Sequence, residues 1–358
     1  MRFFKKPLIL ILVLLSLLTC VYIVIDFLGF ALSPYRSYST EETIILIHKG
    51  HSPNEITQEL FKTQIIGNPK KLIWLGKIIR GWRKLKVGEY KLSAAMTPVD
   101  IFNVLNSGIG ISYSFTVQEG DNIYEIAEKL ESKKLSLKKL FIPLCKNNKF
   151  IETLGFKTKE IPLLTTLEGY LYPDTYLLNK TMSPEEIIKM MTKKFYEIWV
   201  QDFSKRAKEL RLTQHEVITL ASIIEKETGA PEERALISSV FHNRLNKKMR
   251  LQSDPTSIYG IWEKYRGNLT KLDLSLQNPY NTYVISSLPP GPIGNPGKAS
   301  ILAALYPAKT QYYYFVSKNE GLHEFTKTYS EHLAAVRKYQ LDPKAREGKS
   351  WRNRLKKK

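Results

Sequence analysis

Two glutamates at the end of an apolar stretch are the first residues of this sequence that could do chemistry. Val217–Ile224 (VITLASII) contains no charge, and Glu225 and Glu227 follow with only Lys226 between them. Apolar burial and the negative end of a helix dipole both disfavour an ionised carboxyl group. A carboxyl group that stays neutral can act as a general acid, for example in glycoside cleavage.

The spacing of the two glutamates separates their roles. Residues two apart on an α-helix lie about 200° apart around its axis, so Glu225 and Glu227 point to opposite sides and at most one faces a given cleft. We assign Glu225 as the acid, because it continues the line of Ile218 and Ser222. Glu227 is interpreted as a structural residue that could bond the N-terminal end of the helix begun by Pro231. The alternative for both is an ordinary solvated helix end.

The helix that positions these carboxyl groups has a clear start in the sequence. Thr213 and Glu216 form a capping box, and the segment that follows has no polar face, which predicts a buried helix. Ser183 and Glu186 form another capping box and begin a second long helix. Short strand patterns such as QYYYFVSK, interpreted as core, lie among the helices. The pattern predicts an α+β fold with a mixed α+β catalytic domain built around the buried helix.

A repeated pattern lies upstream of this helix. Ile47–Leu60 (IHKGHSPNEITQEL) and Val117–Leu130 (VQEGDNIYEIAEKL) share one frame of apolar, glycine, Glu-Ile and leucine positions. Each copy predicts a strand, a glycine turn and an amphipathic helix. The second copy resembles the LysM module, a small βααβ glycan-binding fold. The alternative is a small α+β unit without a ligand.

The N-terminus predicts a transmembrane helix. The uncharged run Pro7–Ile25 is near the roughly 20 residues that cross a bilayer. Arg2, Lys5 and Lys6 precede it and favour a cytoplasmic N-terminus with the rest of the chain outside. A cleaved signal peptide is the rival interpretation. We therefore expect a single-pass membrane protein with a cytoplasmic N-terminus and the rest of the chain on the outer side.

Composition and missing motifs exclude several function classes. The chain has 54 Lys and Arg against 34 Asp and Glu, a net charge of +20, and its last residues, 344–358, form a basic tail. A basic protein can bind nucleic acid, an anionic membrane or an anionic cell-wall polymer. Nucleic acid is not expected as a partner here, because an exported domain does not routinely encounter it. The sequence contains no H-E-x-x-H motif, no cysteine pair with metal spacing, no phosphate loop and no G-x-S-x-G elbow. We expect no metal and no cofactor.

Six phrases, in this order, give the sequence a resemblance to a known family. LEGYLYPDTY, ASIIEKET, VFHNRL, LQSDPTSIYG, NTYVISSLPPGPIGNPG and ALYPAKTQYYYFV, behind an N-terminal anchor, resemble the YceG-like family from about residue 42 to residue 339. The resemblance implies a LysM-like subdomain followed by an endolytic lytic transglycosylase domain, which lies on the outer side of a bacterial plasma membrane. Such an enzyme cuts the bond between N-acetylmuramic acid and N-acetylglucosamine within nascent peptidoglycan strands, and so limits the elongation of glycan chains.

The resemblance also implies a reaction with a single catalytic carboxyl group. The acid protonates the glycosidic oxygen and then takes the proton of the muramyl 6-hydroxyl, which attacks its own anomeric carbon and leaves a 1,6-anhydro end. The family's catalytic glutamate falls in IIEKET, and we carry it onto Glu225. Peptidoglycan strands are the implied substrate, and peptidoglycan synthases are candidate partners. The alternative function is a non-catalytic LysM-like scaffold that binds peptidoglycan.

Further polar residues are candidates for contact with the sugar, with plain loop structure as the alternative for each. They are Gln252, Ser253, Asp254, Asn281, Thr282, Tyr283 and Glu168. The predicted domains are a cytoplasmic stub with the anchor (1–32), an N-terminal α/β subdomain (33–110), a LysM-like subdomain (111–155), a catalytic domain (156–341) and a basic tail (342–358).

Overall fold

The computed structural model of the chain describes residues 5–156, 164–227, 229–319 and 321–342. Within these ranges the chain forms helices and three two-stranded sheets, and it divides into two compact units. Unit 1 extends to Ser114 and takes in Leu177–Met182, whereas unit 2 comprises Phe115–Tyr176 and the described residues from Ser183 onward. The five-part division stays a prediction, and the basic tail from residue 343 lies outside the described residues.

Unit 1 begins with a long apolar helix. The helix α1 (Lys5–Leu32) contains the segment Ile9–Leu32, with 24 residues and a mean hydropathy of 2.8. Among the described residues it is the one helix that is long and apolar enough to cross a membrane. Its last turns, with Phe27, Phe30 and Ala31, pack into the core of unit 1. The candidate membrane span is therefore also a structural part of the unit that follows it.

The rest of unit 1 is a strand–helix–helix–strand arrangement followed by one more helix. Its elements are β1 (Glu42–Ile47), α2 (Pro53–Lys62), α3 (Pro69–Ile78), β2 (Gly88–Ser93) and α4 (Pro98–Ser107). A short 3-10 turn, Gly81–Arg83, lies between α3 and β2. The strands β1 and β2 pair antiparallel, with Ile45 opposite Tyr90. These two side chains form one core with Leu60 of α2 and Leu72 of α3.

The second copy of the repeat has the same order of elements. It consists of β3 (Tyr113–Thr116), α5 (Ile123–Ser132), α6 (Lys138–Cys145), α7 (Asn148–Thr153) and β4 (Thr175–Leu178). The strands β3 and β4 pair with each other. A two-stranded sheet therefore brackets the helices in both copies, with one helix more in the second.

The frame shared by the two copies corresponds to equivalent local structure. Gly50 and Gly120 have positive φ angles of 89° and 82°, a conformation that glycine adopts without the steric cost of a side chain. Glu55 and Glu125 each complete the capping box of the helix that follows. The repeat expected from the sequence is thus present as structure, while its likeness to LysM stays a prediction.

The remaining elements of unit 2 include one buried helix, α10. They are α8 (Pro184–Ile198), a π-helical turn (Trp199–Phe203), α9 (Ser204–Glu209), α10 (Gln214–Glu227), a 3-10 turn (Pro231–Glu233), α11 (Arg234–Asn246), α12 (Asp254–Gly260), a 3-10 turn (Trp262–Lys264), α13 (Lys271–Ser275), α14 (Lys298–Leu305), β5 (Tyr314–Ser317), β6 (His323–Thr326), α15 (Tyr329–Val336) and a π-helical turn (Arg337–Leu341). The strands β5 and β6 pair antiparallel.

The burial of α10 follows its sequence. Every residue from Val217 to Ile224 is buried, as expected of a helix without a polar face. The predicted capping box is present, because the Glu216 backbone N–H donates to the Thr213 hydroxyl (3.2 Å) and the Thr213 N–H donates to the Glu216 carboxylate (2.8 Å). The helices α11 and α14 pack against α10, so its last turn carries two carboxyl groups into the interior of unit 2.

Candidate active site

The last turn of α10 directs its two glutamates to different surroundings. Glu225 accepts hydrogen bonds from the Arg234 guanidinium (Nη2 to Oε1, 3.3 Å) and from the Gly297 backbone N–H (N to Oε2, 2.9 Å). Glu227 accepts a hydrogen bond from the Ser253 hydroxyl. The sequence placed Glu227 against the start of the next helix, but its partner comes from the turn before α12.

The Glu225 side of the helix is closed by packing. The Glu225 side chain is 6% exposed and that of Arg234 is 12% exposed. Glu119 lies beside this ion pair, and burial together with the Glu225 carboxylate raises the pKa of Glu119, against the opposing effect of Arg234. A Cβ atom at Gly297 would collide with the Glu119 carboxylate, so a larger residue at position 297 would require the Glu119 side chain to move. Glu225 therefore belongs to a packed polar cluster, and no pattern in the sequence predicts that Glu119 is part of it.

A cleft of about 440 Å³ opens on the Glu227 side. Glu227, Gln252, Asp254 and Tyr283 line it, together with residues of β5, β6 and α15. Pockets that bind small polar ligands combine aromatic surface with a few placed polar groups. The other polar or aromatic lining residues are Arg244, Tyr314, Phe315, Ser317, His323, Tyr329 and His332.

The protonation of Glu227 suits proton transfer. Burial raises the pKa of Glu227 to about 7, while the Ser253 hydrogen bond lowers it, the Asp254 carboxylate raises it and the Arg244 guanidinium lowers it. A general acid works best when its pKa lies near the working pH, because a large fraction is then protonated and the group still releases its proton readily. Glu227 can therefore donate a proton at neutral pH and take one back.

Arg244 holds the walls of the cleft together. Its guanidinium donates to the backbone carbonyl oxygens of Tyr313 (2.6 Å) and Leu251 (2.7 Å) and lies 5.3 Å from the centroid of the Tyr314 ring. The planar guanidinium has several donors in fixed directions, so one side chain can join β5 to the turn before α12. Arg244 lies in the phrase VFHNRL, but no pattern in the sequence predicts this role for it.

Four of the predicted substrate-contact residues lie at the cleft. Gln252, Asp254 and Tyr283 line it, and the Tyr283 hydroxyl donates to Asp254 Oδ1 (2.6 Å). Ser253 is buried behind them and donates to Glu227. The turn LQSD and the phrase NTY, which are separated in the sequence, thus meet beside Glu227.

Asn281 and Thr282 are buried in the structure of their own loop. The Asn281 carboxamide donates to the carbonyl oxygens of Leu274 (3.1 Å) and Leu276 (2.8 Å). The Thr282 hydroxyl accepts a hydrogen bond from the Ser253 backbone N–H (2.9 Å). These contacts correspond to the structural alternative for both residues, because their side chains hold the cleft-lining loop in place.

Glu168 is a fully buried carboxyl group with structural partners. It accepts hydrogen bonds from the Ile123 backbone N–H (3.1 Å to Oε2) and from the Tyr259 hydroxyl (2.8 Å). Burial raises the pKa of Glu168 to about 8 despite these hydrogen bonds. Because the carboxyl group joins the start of α5 to α12, we assign Glu168 to the packing of unit 2 and no longer to a wall of the cleft.

An aromatic cluster on the cleft was not expected from the sequence. Tyr314 stacks on His332, with ring centroids 5.2 Å apart, and Tyr329 lies 5.8 Å from Tyr314. The strand YYYF was interpreted as core because aromatic residues in strands usually are. Tyr314 is instead only partly buried and lines the cleft. Strand periodicity alone does not say which face of such a short strand is covered.

Comparison with known proteins establishes the family. The model of the YceG-like family matches residues 45–338. The chain belongs to the YceG-like family. The family expected from the six sequence phrases is thus confirmed, and the match includes both copies of the repeat and the whole of the cleft.

Curated relatives and a solved structure of the YceG-like family agree with this assignment. An endolytic murein transglycosylase of Bacillus subtilis (strain 168) is 36% identical over 321 residues, which cover 86% of this chain and 88% of the relative. An endolytic murein transglycosylase of Streptococcus pneumoniae serotype 2 is 27% identical over 312 residues, which cover 80% of this chain and 56% of the relative. A crystal structure of a putative yceG-like protein from Listeria monocytogenes matches with a TM-score of 0.57 and 32% identity, covering 83% of this chain and 99% of that chain.

Proposed function

We propose that this protein is a membrane-anchored endolytic murein transglycosylase in which Glu227 is the general acid. The reaction is inferred from the name that the curated relatives share. The observation that carries the choice of residue is the position of Glu227 on a polar and aromatic cleft with a pKa of about 7. This revises the sequence-based assignment, which made Glu225 the acid and Glu227 structural.

The contacts of the two glutamates favour this choice. Both oxygens of Glu225 accept hydrogen bonds, one from a guanidinium and one from a backbone amide. A sugar could reach Glu225 only by displacing Arg234 or the loop at Gly297. Glu227 is held by Ser253 and lines the cleft, so a glycan strand can approach it without rearrangement of the fold.

In the proposed reaction Glu227 acts first as acid and then as base. Its proton goes to the glycosidic oxygen between N-acetylmuramic acid and N-acetylglucosamine, and the bond to the anomeric carbon breaks with its electron pair on that oxygen. The Glu227 carboxylate then takes the proton of the muramyl 6-hydroxyl, whose oxygen bonds to the same anomeric carbon. The products are a 1,6-anhydro end and a free N-acetylglucosamine hydroxyl, and Glu227 is protonated again. The attack is intramolecular and gains from proximity, so no water is consumed.

The neighbours of Glu227 have distinct parts in this proposal. Ser253 orients the carboxyl group, and the hydrogen-bonded pair of Tyr283 and Asp254 offers polar groups to sugar hydroxyls and acetamido groups. The rings of Tyr314 and His332, which line the cleft, offer apolar surface to a sugar ring. The second copy of the repeat, whose β3 and β4 pair around its helices, supports the LysM-like interpretation and gives unit 2 a further glycan-binding candidate.

The proposed location follows from α1. A single span with a cytoplasmic N-terminus places both units on the outer side of the membrane, where nascent strands emerge. Peptidoglycan synthases, which release such strands at that surface, are the proposed partners.

Product analysis tests the proposed function. The full-length protein is incubated with uncrosslinked glycan strands, and the new ends are identified by mass spectrometry. Anhydro ends from the wild-type chain, retained in Glu225→Gln and lost in Glu227→Gln, are the expected result. Loss in Glu225→Gln alone, with both variants folded, would restore the original assignment.

Two other outcomes of the same experiment would change the reaction class. Reducing ends in place of anhydro ends would indicate hydrolysis with Asp254 as a second carboxylate, which Asp254→Asn would then abolish. Binding of strands without any cleavage by the wild-type chain would favour the non-catalytic scaffold, for which the repeated βαα units are the supporting observation.

A further inference from the structure

A basic segment of unit 1 also exposes large apolar side chains. Residues 60–88 include eight Lys and Arg residues and no Asp or Glu. Within the segment Trp74 is 61% exposed, Ile78 65% and Ile79 39%. The Lys77 ammonium lies 5.0 Å from the centroid of the Trp74 ring. Tryptophan and aliphatic side chains among cations are typical of protein surfaces that lie at a membrane interface.

The contacts of α3 show that it runs back along α1 towards the apolar span. Just before α3, Gly67 packs on Tyr35, which follows α1, and a Cβ at Gly67 would lie 2.5 Å from that ring. One turn further on, Lys71 pairs with Asp26 (2.6 Å) and lies 5.8 Å from the Phe30 ring centroid. As the chain advances from residue 67 to residue 71, its partners therefore step back from residue 35 to residue 26.

The same direction carries the exposed apolar residues of α3 towards the membrane. Asp26 is the first charged residue after the apolar run, and Lys71 lies beside it. An α-helix rises about 1.5 Å per residue, so Ile78 lies about 10 Å beyond Lys71 along α3. This direction carries the end of α3 and the cations after it to the membrane side of Lys71.

The attachment of unit 1 to α1 fixes the orientation of this surface. Phe27, Phe30 and Ala31 of α1 belong to the same packed core as Leu72 and Leu75 of α3. Because side chains in such a core are close-packed, unit 1 cannot rotate about α1 without breaking it. The exposed face of α3 therefore keeps one orientation relative to the span.

We propose that α3 and the turn after it, residues 69–87, form a second membrane contact that binds anionic phospholipid headgroups. Trp74, Ile78 and Ile79 enter the headgroup region. Lys77, Arg80 and their basic neighbours reach lipid phosphates, since long cationic side chains can lay their stems on apolar surface while the charge stays at the interface. The contact fixes the height of the first repeat above the membrane. This inference rests on the proposed anchoring by α1 and is independent of catalysis.

Depth-dependent quenching on the reconstituted full-length chain tests this contact. In a Cys20→Ser background, a fluorescent probe is attached at Ile78→Cys, and its quenching by nitroxide-labelled lipids is measured in vesicles that contain phosphatidylglycerol. Cys145 is buried and does not compete for the probe. The matched control is Ile44→Cys, an exposed isoleucine of β1 in the same unit (53% exposed). The expected result is several-fold stronger quenching at position 78 than at position 44.

Charge and anchoring are controlled separately. Replacement of phosphatidylglycerol by phosphatidylcholine, or the triple change Lys77→Glu, Arg80→Glu and Arg83→Glu, should reduce quenching at position 78 several-fold. Quenching at position 78 that is unchanged by both the lipid replacement and the triple substitution would overturn the anionic-lipid contact. Equal quenching at positions 78 and 44 would also overturn it, provided that the chain stays with the vesicles in alkaline carbonate. A chain that leaves the vesicles would overturn the anchoring itself and this inference with it.

Discussion

The two sides of the last turn of α10 differ in what surrounds a carboxyl group. On one side Glu225 lies in a packed cluster with Arg234, the Gly297 amide and Glu119. On the other side Glu227 meets one hydroxyl and a cleft of about 440 Å³. Glu225 thus has the surroundings of a structural ion pair, whereas Glu227, two residues away, has the surroundings expected of a catalytic acid. The surroundings of each carboxyl group are therefore set by segments that are distant in the sequence and reach the end of the helix.

The first prediction concerns the activity of a variant of Glu227, the glutamate on the cleft side of α10. Glu227→Gln removes the transferable proton and keeps the shape of the side chain, so kcat should fall about 10²- to 10⁴-fold, the usual contribution of general acid–base catalysis. KM should change little, because the amide fills the same space. The matched control is Glu225→Gln, whose kcat per folded molecule should stay near wild type. Similar losses of kcat in the two variants would erase the distinction between the two sides.

The second prediction tests the closed side by stability. Glu225→Ala leaves Arg234 buried without its counter-charge, which should lower the free energy of unfolding by about 3 kcal/mol. Urea unfolding of the full-length chain in detergent micelles measures this. Glu227→Ala, at the border of the cleft, is the comparison and should cost clearly less. A larger loss of stability at residue 227 than at residue 225 would contradict the assignment of the two environments.

The third prediction concerns the pH dependence of the reaction. Glu227 must carry its proton to act as acid, so kcat should decline above about pH 7, where burial has placed its pKa. The Ser253 hydrogen bond lowers that pKa. Ser253→Ala should therefore move the alkaline limb to higher pH, by about one unit for a lost bond of about 1.4 kcal/mol, and lower kcat at the optimum. A limb that stays in place in Ser253→Ala would argue against Glu227 as the titrating group.

The fourth prediction uses Glu168, a buried carboxyl group away from the cleft. Its folded-state pKa is raised from 4.5 to about 8, so the folded protein keeps a proton that the unfolded chain has already released. The contribution of Glu168 to stability should therefore be greatest below about pH 4.5, decline as pH rises and be fully lost above about pH 8. Glu168→Gln should flatten this decline, leaving the smaller part due to Glu227. Unfolding free energies at pH 5, 6.5 and 8 provide the measurement, and an unchanged slope would contradict the burial argument.

The last prediction concerns Tyr314, an aromatic residue that lines the cleft, and the expected change in KM is small. Tyr314→Ala removes the ring that stacks on His332 and faces the cleft, so KM for glycan strands should rise a few-fold with little change in kcat. Tyr306→Ala is the control, since Tyr306 is 53% exposed and contacts Arg206. Equal KM values in the two variants would remove Tyr314 from the proposed sugar contacts.

The two copies of the repeat show which structural features a local sequence pattern can predict and which it cannot. Their shared frame predicted a strand, a glycine turn and a capped helix, and both copies have them. The two copies differ in the residues that contact the glycine turn. The Gly120 N–H donates to the Asn295 carbonyl oxygen (2.8 Å), whereas a Cβ at Gly50 would meet nothing within 4 Å. The loop that contains Asn295 lies more than 170 residues after Gly120 in the chain, so no local sequence pattern could predict this contact.

The apolar span, the capping boxes, the buried helix, the repeat and the family could all be predicted from the amino-acid sequence, because these depend on short-range periodicity, local hydrogen bonds and ordered phrases. The divergence of Glu225 and Glu227 could be predicted as well, since helix geometry fixes the angle between them. Which of the two glutamates faces a cleft could be read only from the folded chain. That choice depends on Arg234 and Gly297 closing one side while Ser253 and β5 leave room on the other, and these contacts join segments that approach one another only after the chain has folded.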